Sequence, residues 1–120
     1  ASITGGFVAL YMACARMVKS GVLRKMPIRD YIAALGTGII KIGGEDHVVV
    51  DMCYEEDSAA IADFNVIGTG SGKIAEVQGT GEGRPYTVDE LMAVVRATMP
   101  ALACVIAEQR KITDTLVVSL

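Results

Sequence analysis

The stretch YIAALGTGIIKIGGEDHVVVDMCY, Tyr31 to Tyr54, decides the fold. Two apolar, β-rich runs, Tyr31–Ile42 and His47–Tyr54, flank Gly43-Gly44-Glu45-Asp46. Paired glycines followed by acidic residues between such runs are a strong turn signal, so the stretch reads as an antiparallel hairpin. The first run hardly alternates, which predicts cover on both of its faces. Gly36 and Gly38 fall on one face, two residues apart, and mark a place where a helix lies close. His47, the only histidine, sits beside a turn with no nucleophile motif and reads as a surface residue.

Working outward, Ala62–Thr69 and Lys73–Thr80 flank Gly70-Ser71-Gly72 and predict a second hairpin. On the N-terminal side, Phe7, Leu10, Tyr11, Cys14, Met17 and Val18 recur at three- and four-residue steps. That spacing predicts a helix over 3–19, capped by Ser2 or Thr4 and ended near Ser20-Gly21. Gly5-Gly6 in its first turn implies close approach of a ligand or another backbone, or tight packing on a sheet. On the C-terminal side, Thr87-Val88-Asp89-Glu90 is a capping box. Leu91, Val94, Val95, Thr98, Leu102, Val105 and Ile106 then keep helical spacing, and Pro100 predicts a kink or a split. From Lys111 the pattern is lost, leaving 111–120 as a loose tail. Gly79, Gly81 and Gly83 read as a turn, because the lysine of a phosphate-cradling loop is missing.

The order helix, two hairpins, helix predicts one α+β domain over 1–120. Its sheet is four-stranded, mixed or antiparallel, with both helices on one face. The other face then needs cover. At 120 residues, 52% apolar and a mean hydropathy of +0.44, the chain is apolar for one small domain, which argues for a partner surface. The missing half of a larger protein, or a second copy, fits that role. The chain begins at Ala1 in residues that already read as a helix start, which implies an upstream part. A net charge of −3 argues against a nucleic-acid grip spread over the whole chain, although Lys19, Arg24, Lys25 and Arg29 form a mild basic patch. Cys14, Cys53 and Cys104 are widely spaced and odd in number, which supports neither zinc nor a disulfide framework. All three read as buried reduced thiols of a cytoplasmic protein. No run of 18 apolar residues and no cleavable leader occurs, so no membrane partner is expected.

The chemistry concentrates in Glu55-Glu56-Asp57-Ser58-Ala59-Ala60-Ile61-Ala62-Asp63-Phe64-Asn65, between two apolar runs. Such carboxylates are costly unless they sit at a strand end, are paired, or hold a cation. Asp57 and Asp63 are six residues apart, sharing a face on a strand or converging from a loop and a strand. Either way they can hold Mg²⁺, which keeps waters and takes the rest of its shell from phosphates. The alternative is a solvated acidic loop.

Several motifs together resemble one family. Ala-Ser-Ile-Thr-Gly-Gly at 1–6, Tyr-Glu-Glu-Asp-Ser-Ala-Ala at 54–60, Asp-Phe-Asn-Val at 63–66, Thr-Gly-Ser-Gly-Lys at 69–73 and Glu-Val-Gln-Gly-Thr-Gly-Glu-Gly at 76–83 stand in the order and spacing of the C-terminal half of bacterial ribonuclease PH. With Thr87 to Gln109 they cover almost the whole chain. The resemblance implies half of a ribonuclease PH-type fold, similar to ribosomal protein S5 domain 2. It also implies a 3′-to-5′ phosphorolytic exoribonuclease, a nucleotidyltransferase of transfer and ribosomal RNA processing. Such an enzyme trims the 3′ ends of tRNA precursors with inorganic phosphate, releases nucleoside diphosphates and assembles as a homo-oligomeric, hexameric ring.

Residue by residue, the resemblance makes Asp57 and Asp63 the metal-binding and catalytic pair. Asn65, in Asp-Phe-Asn where the family has Asp-Met-Asn, would orient a water or the ribose. Ser2 is a candidate phosphate contact. The family's Gly-Thr-Arg-Thr segment just before Ala1, and an arginine of the N-terminal half, are absent, so this chain alone is expected to be inactive. Two other readings stand beside this one: a non-catalytic, RNA-threading subunit of an exosome-like ring, and an inactive structural fragment.

Overall fold

Gly43 and Gly44 both take positive φ, 60° and 87°, and turn the chain where a side chain would be strained. The turn joins β1 (Ile32–Ile42) to β2 (Glu45–Val50), paired antiparallel from Ile42↔Glu45 to Thr37↔Val50. The computed structural model describes residues 1–120. Strand β2 starts earlier than its apolar run and ends before Tyr54, because Asp51 takes φ 59° and turns the chain out of the sheet. The remaining elements are α1 (Ser2–Lys19), a short α2 (Tyr54–Ser58), β3 (Ala62–Thr69), β4 (Ile74–Thr80) and α3 (Val88–Val118). The sheet order is β2-β1-β3-β4 and every pairing is antiparallel, so of the two expected sheet types it is the antiparallel one. The fold is α+β.

One face of the sheet carries Ala33, Ile39, Phe64 and Val66, and α3 lays Val94, Leu102 and Ile106 onto them. Removing that apolar surface from water is the main stabilising term, roughly 25 cal/mol per Å². The capping box is present: Glu90 N–H donates to Thr87 Oγ1 at 3.1 Å, and Thr87 N–H to Glu90 Oε2 at 2.7 Å. Pro100 does not split the helix. It sits on the exposed side, where the carbonyl it frees is open to water. The stretch from Lys111, read as a loose tail, continues the helix to Val118. Thr113 within it is fully buried. By length and composition alone α3 could cross a membrane, but its Val94, Thr98, Leu102, Ile106, Gln109 and Thr113 face is buried within this chain.

Polar pairs fix how α3 sits. Thr98 Oγ1 donates to Val94 O at 2.7 Å, so its one proton is used, and Thr37 Oγ1 must donate to Thr98 Oγ1 across 2.8 Å. Likewise Thr113 Oγ1 donates to Arg110 O, leaving Tyr31 Oη to donate to Thr113 at 2.7 Å. Gln109 Nε2 donates to Ile32 O and Thr4 O, both at 3.0 Å, joining α3, β1 and α1.

Neither Ser2 nor Thr4 caps α1; the N-cap is Ala1, without a side-chain bond. Thr4 Oγ1 instead accepts from Ala34 N–H at 3.2 Å and donates to Ala34 O, completing the β1 edge beyond the end of β2. Nothing lies near Gly5 or Gly6, so the packing expected there does not occur within this chain. Ile3, Leu10 and Met17 on α1 are exposed. Of the cysteines, only Cys14 is buried. Cys53 precedes α2 and Cys104 lies on the outer side of α3, so both are exposed, contrary to the reading of buried thiols.

Thr98→Val is expected to strand the buried Thr37 hydroxyl and cost about 1–3 kcal/mol by urea unfolding. Adding Thr37→Val to it should restore part of that loss; no recovery in the double variant would show that the pair does not act as inferred.

Candidate active site

Strand β1 lies between β2 and β3, so the segment joining β2 to β3 must cross it. It crosses on the face away from α3, at Gly38, where any Cβ would strike the Met52 side chain. Asp51 N–H donates to Gly36 O and Ile61 N–H to Ile39 O, both at 2.8 Å, pinning the crossing at each end. Helix α2 lies within it, started by Glu56 Oε2 accepting from Cys53 N–H at 2.8 Å. Gly83 N–H donates to Ile61 O at 2.8 Å and ties the loop after β4 to the same place. Arg84 then anchors that loop, with 2.7 Å to Asp46 Oδ2 and 2.8 Å to Glu90 Oε1.

Asp57 is exposed in α2, and Asp63 is half-buried in β3 with Gly38 and Thr80 as its cross-strand neighbours. The crossing brings Asp57 near enough for its charge to act on Asp63. Burial raises the Asp63 carboxyl above the ordinary carboxylate range, and the negative charge of Asp57 raises it further. Neither takes part in an ion pair. Asn65, two residues on and half-buried, shares the Asp63 face and stands opposite Gly36 and Gln78. Asp63 and Asn65 therefore flank bare backbone at Gly38 and Gly36. Space beside Gly36 is open, whereas Met52 covers Gly38. Gly38 admits the crossing segment rather than a long helix, and Gly36 is left open, where the sequence predicted a close helix at both. The signal was there in the matched spacing of Gly-x-Gly and Asp-x-Asn, but only the strand register aligns the two.

No group of three or more His, Cys, Asp or Glu side chains converges on one point. The chain thus offers a hard cation two carboxylates, with the rest of a shell left to water and phosphate. Two like charges held together without a cationic partner are the donor set Mg²⁺ fits. None of the cavities is lined by either aspartate; the site is an open surface. Ser2 is exposed at the start of α1. Thr4 is bound at Ala34, four residues from Gly38 along β1, roughly 14 Å at about 3.4 Å per residue. Phe7 and Tyr11 then stack at Tyr31, so α1 runs away from the aspartates and Ser2 is at its nearer end.

A model of the 3′ exoribonuclease family, domain 2, matches residues 30–99. Ribonuclease PH of Moorella thermoacetica is 41% identical over 112 residues, 93% of this chain and 43% of that protein. Ribonuclease PH of Bacillus velezensis is 40% identical over 93% of this chain and 44% of that protein, and that of Bacillus subtilis is 38% identical over the same shares. The chain spans less than half the length of these relatives.

An ionised Asp63 is disfavoured in the folded state, so Asp63→Asn should raise the melting temperature at pH 7. The carboxyl is raised, so its penalty is present at neutral pH and vanishes once it is protonated. The gain should therefore shrink as pH falls through the raised folded-state range and be gone below about 4, where the unfolded carboxyl is protonated too. An Asn variant that melts lower than the parent at pH 7 would contradict the crowding of Asp57 and Asp63.

Proposed function

The chain belongs to the 3′ exoribonuclease family, and on that premise we propose that it is the metal-bearing half of a phosphorolytic 3′-to-5′ exoribonuclease of the ribonuclease PH type. The observation that carries the reading is the Asp57–Asp63 pair on an open face: burial raises the Asp63 carboxyl, the charge of Asp57 raises it further, and neither carboxylate takes part in an ion pair. The substrates are inorganic phosphate and the 3′ end of an RNA, transfer RNA precursors in particular.

An oxygen of inorganic phosphate forms a bond to the phosphorus of the terminal phosphodiester. The bond from that phosphorus to the 3′-oxygen of the preceding nucleotide breaks. The last nucleotide leaves as a nucleoside diphosphate, and the proton given up by the attacking phosphate ends on the freed 3′-oxygen. The obstacle is charge, since attacker and target are both anionic. Mg²⁺ held by Asp57 and Asp63 would supply positive charge against that repulsion. Either carboxylate could pass a proton to the leaving 3′-oxygen. Asn65, beside the uncovered backbone at Gly36, would orient the ribose or a water. Ser2 and the unpaired first-turn N–H groups of α1 would contribute to binding phosphate. The remaining phosphate contacts belong to a first domain of the same family, and the assembled form is a homo-oligomeric ring.

The test supplies this chain with such a first domain, phosphate, Mg²⁺ and an RNA with a 3′ extension, and measures nucleoside diphosphate. Asp63→Ala and Asp57→Ala should each lower release by roughly 10²-fold or more while leaving RNA binding in place. Chelation of the metal should have the same effect. Diphosphate release that survives both substitutions would exclude the assigned roles.

A further inference from the structure

The charge of this chain is divided between its two ends. Residues 1–29 hold five of the eleven basic residues and none of the fourteen acidic ones, contributing +5, while the rest contributes −8. The five are Arg16 and Lys19 in the last turn of α1, then Arg24, Lys25 and Arg29 in the connector to β1. All are exposed, and none takes part in an ion pair. The connector folds back at once: Gly21 takes φ 79° and Leu23 N–H donates to Met17 O at 3.0 Å. Arg29 then shares a cavity of about 140 Å³ with Tyr11 and Arg110, and the Arg110 guanidinium stands 4.2 Å over the Tyr31 ring. A sixth cation thus joins the cluster. Acids beside it are Asp30, whose carboxylate is occupied by Ser71 and the Tyr31 N–H, and Asp114 on α3, whose charge reaches Tyr11.

The cluster lies far from the aspartates. From Thr4 to Lys19 α1 advances roughly 22 Å at about 1.5 Å per residue, and it starts roughly 14 Å down β1 from Gly38. The separation is on the order of 30 Å, or roughly nine phosphates of a stacked strand at about 3.4 Å each. From this we propose that the end of α1 and the connector bind the phosphate backbone of the substrate RNA, upstream of the end being trimmed. Unpaired, solvated cations gain from releasing the counterions of a polyanion, so the surface favours long RNA without reading its sequence. This rests on the exoribonuclease reading and gives the second contact of that substrate.

The experiment compares Arg24→Glu/Lys25→Glu with the parent, both joined to the first domain. It uses an RNA hairpin with a long 3′ tail and an oligonucleotide of about four nucleotides, too short to span the distance. Affinity is measured with Asp63→Asn present in both, so that binding is read without turnover. The double reversal should weaken binding of the long RNA by about tenfold or more. It should also lessen the slope of log affinity against log salt by about 1.4, for two lost contacts. KM for the long RNA should rise with kcat unchanged, and the short oligonucleotide should not respond. Unchanged affinity and slope, an equal effect on both RNAs, or a change confined to binding of phosphatidylserine vesicles would each overturn the proposal. A parent that releases no diphosphate, yet loses long-RNA binding on reversal, would sink phosphorolysis and keep the surface.

Discussion

Everything at the candidate site depends on a missing side chain. The β2-to-β3 connection has to pass over β1, and Gly38 is where it passes, with Met52 filling the space a Cβ would need. Take that clearance away and α2 rises off the sheet, and Asp57 with it. Backbone bonds from Asp51 to Gly36 and from Ile61 to Ile39 hold the crossing down on either side. A short acidic helix is thereby placed over β1, next to the strand that carries Asp63. Burial raises the Asp63 carboxyl, and the charge of Asp57 brought in by the crossing raises it further.

The opposite face supplies the rigidity. Helix α3 is held by apolar burial and by buried hydroxyl pairs whose proton directions are fixed, Thr37 to Thr98 and Tyr31 to Thr113. Apolar contact alone would tolerate sliding of the helix, whereas a buried hydroxyl that loses its partner incurs the full cost of its desolvation. Gln109 extends the same logic to α1, bridging Thr4 and Ile32. The sheet is thus stiff beneath the crossing, which is what positioning two carboxylates requires. By contrast α1 buries Phe7, Cys14 and Ala15 and leaves Ile3, Leu10 and Met17 exposed.

Charge is divided along the chain: residues 1–29 contribute +5 and the rest −8. A small net charge hides this separation, because opposite contributions cancel in the sum. The formal balance of −3 is therefore a poor guide to what the surface attracts.

The sequence by itself determined the two hairpins, the capping box at Thr87 and the α+β class, because glycine turns, β-branched runs and capping chemistry act over a few residues. Its motifs also singled out Asp57, Asp63 and Asn65. Other features required the tertiary structure. Pro100 stays within one helix because it happens to face water, and the stretch from Lys111 stays helical with Thr113 buried beside Tyr31. Thr4 serves the β1 edge rather than the helix cap because β2 stops short of it. Cys53 and Cys104 are exposed because burial depends on which way a helix or loop faces. Above all, the pairing of Gly36 and Gly38 with Asn65 and Asp63 is a matter of strand register. Register joins residues more than twenty positions apart, and no local pattern encodes it.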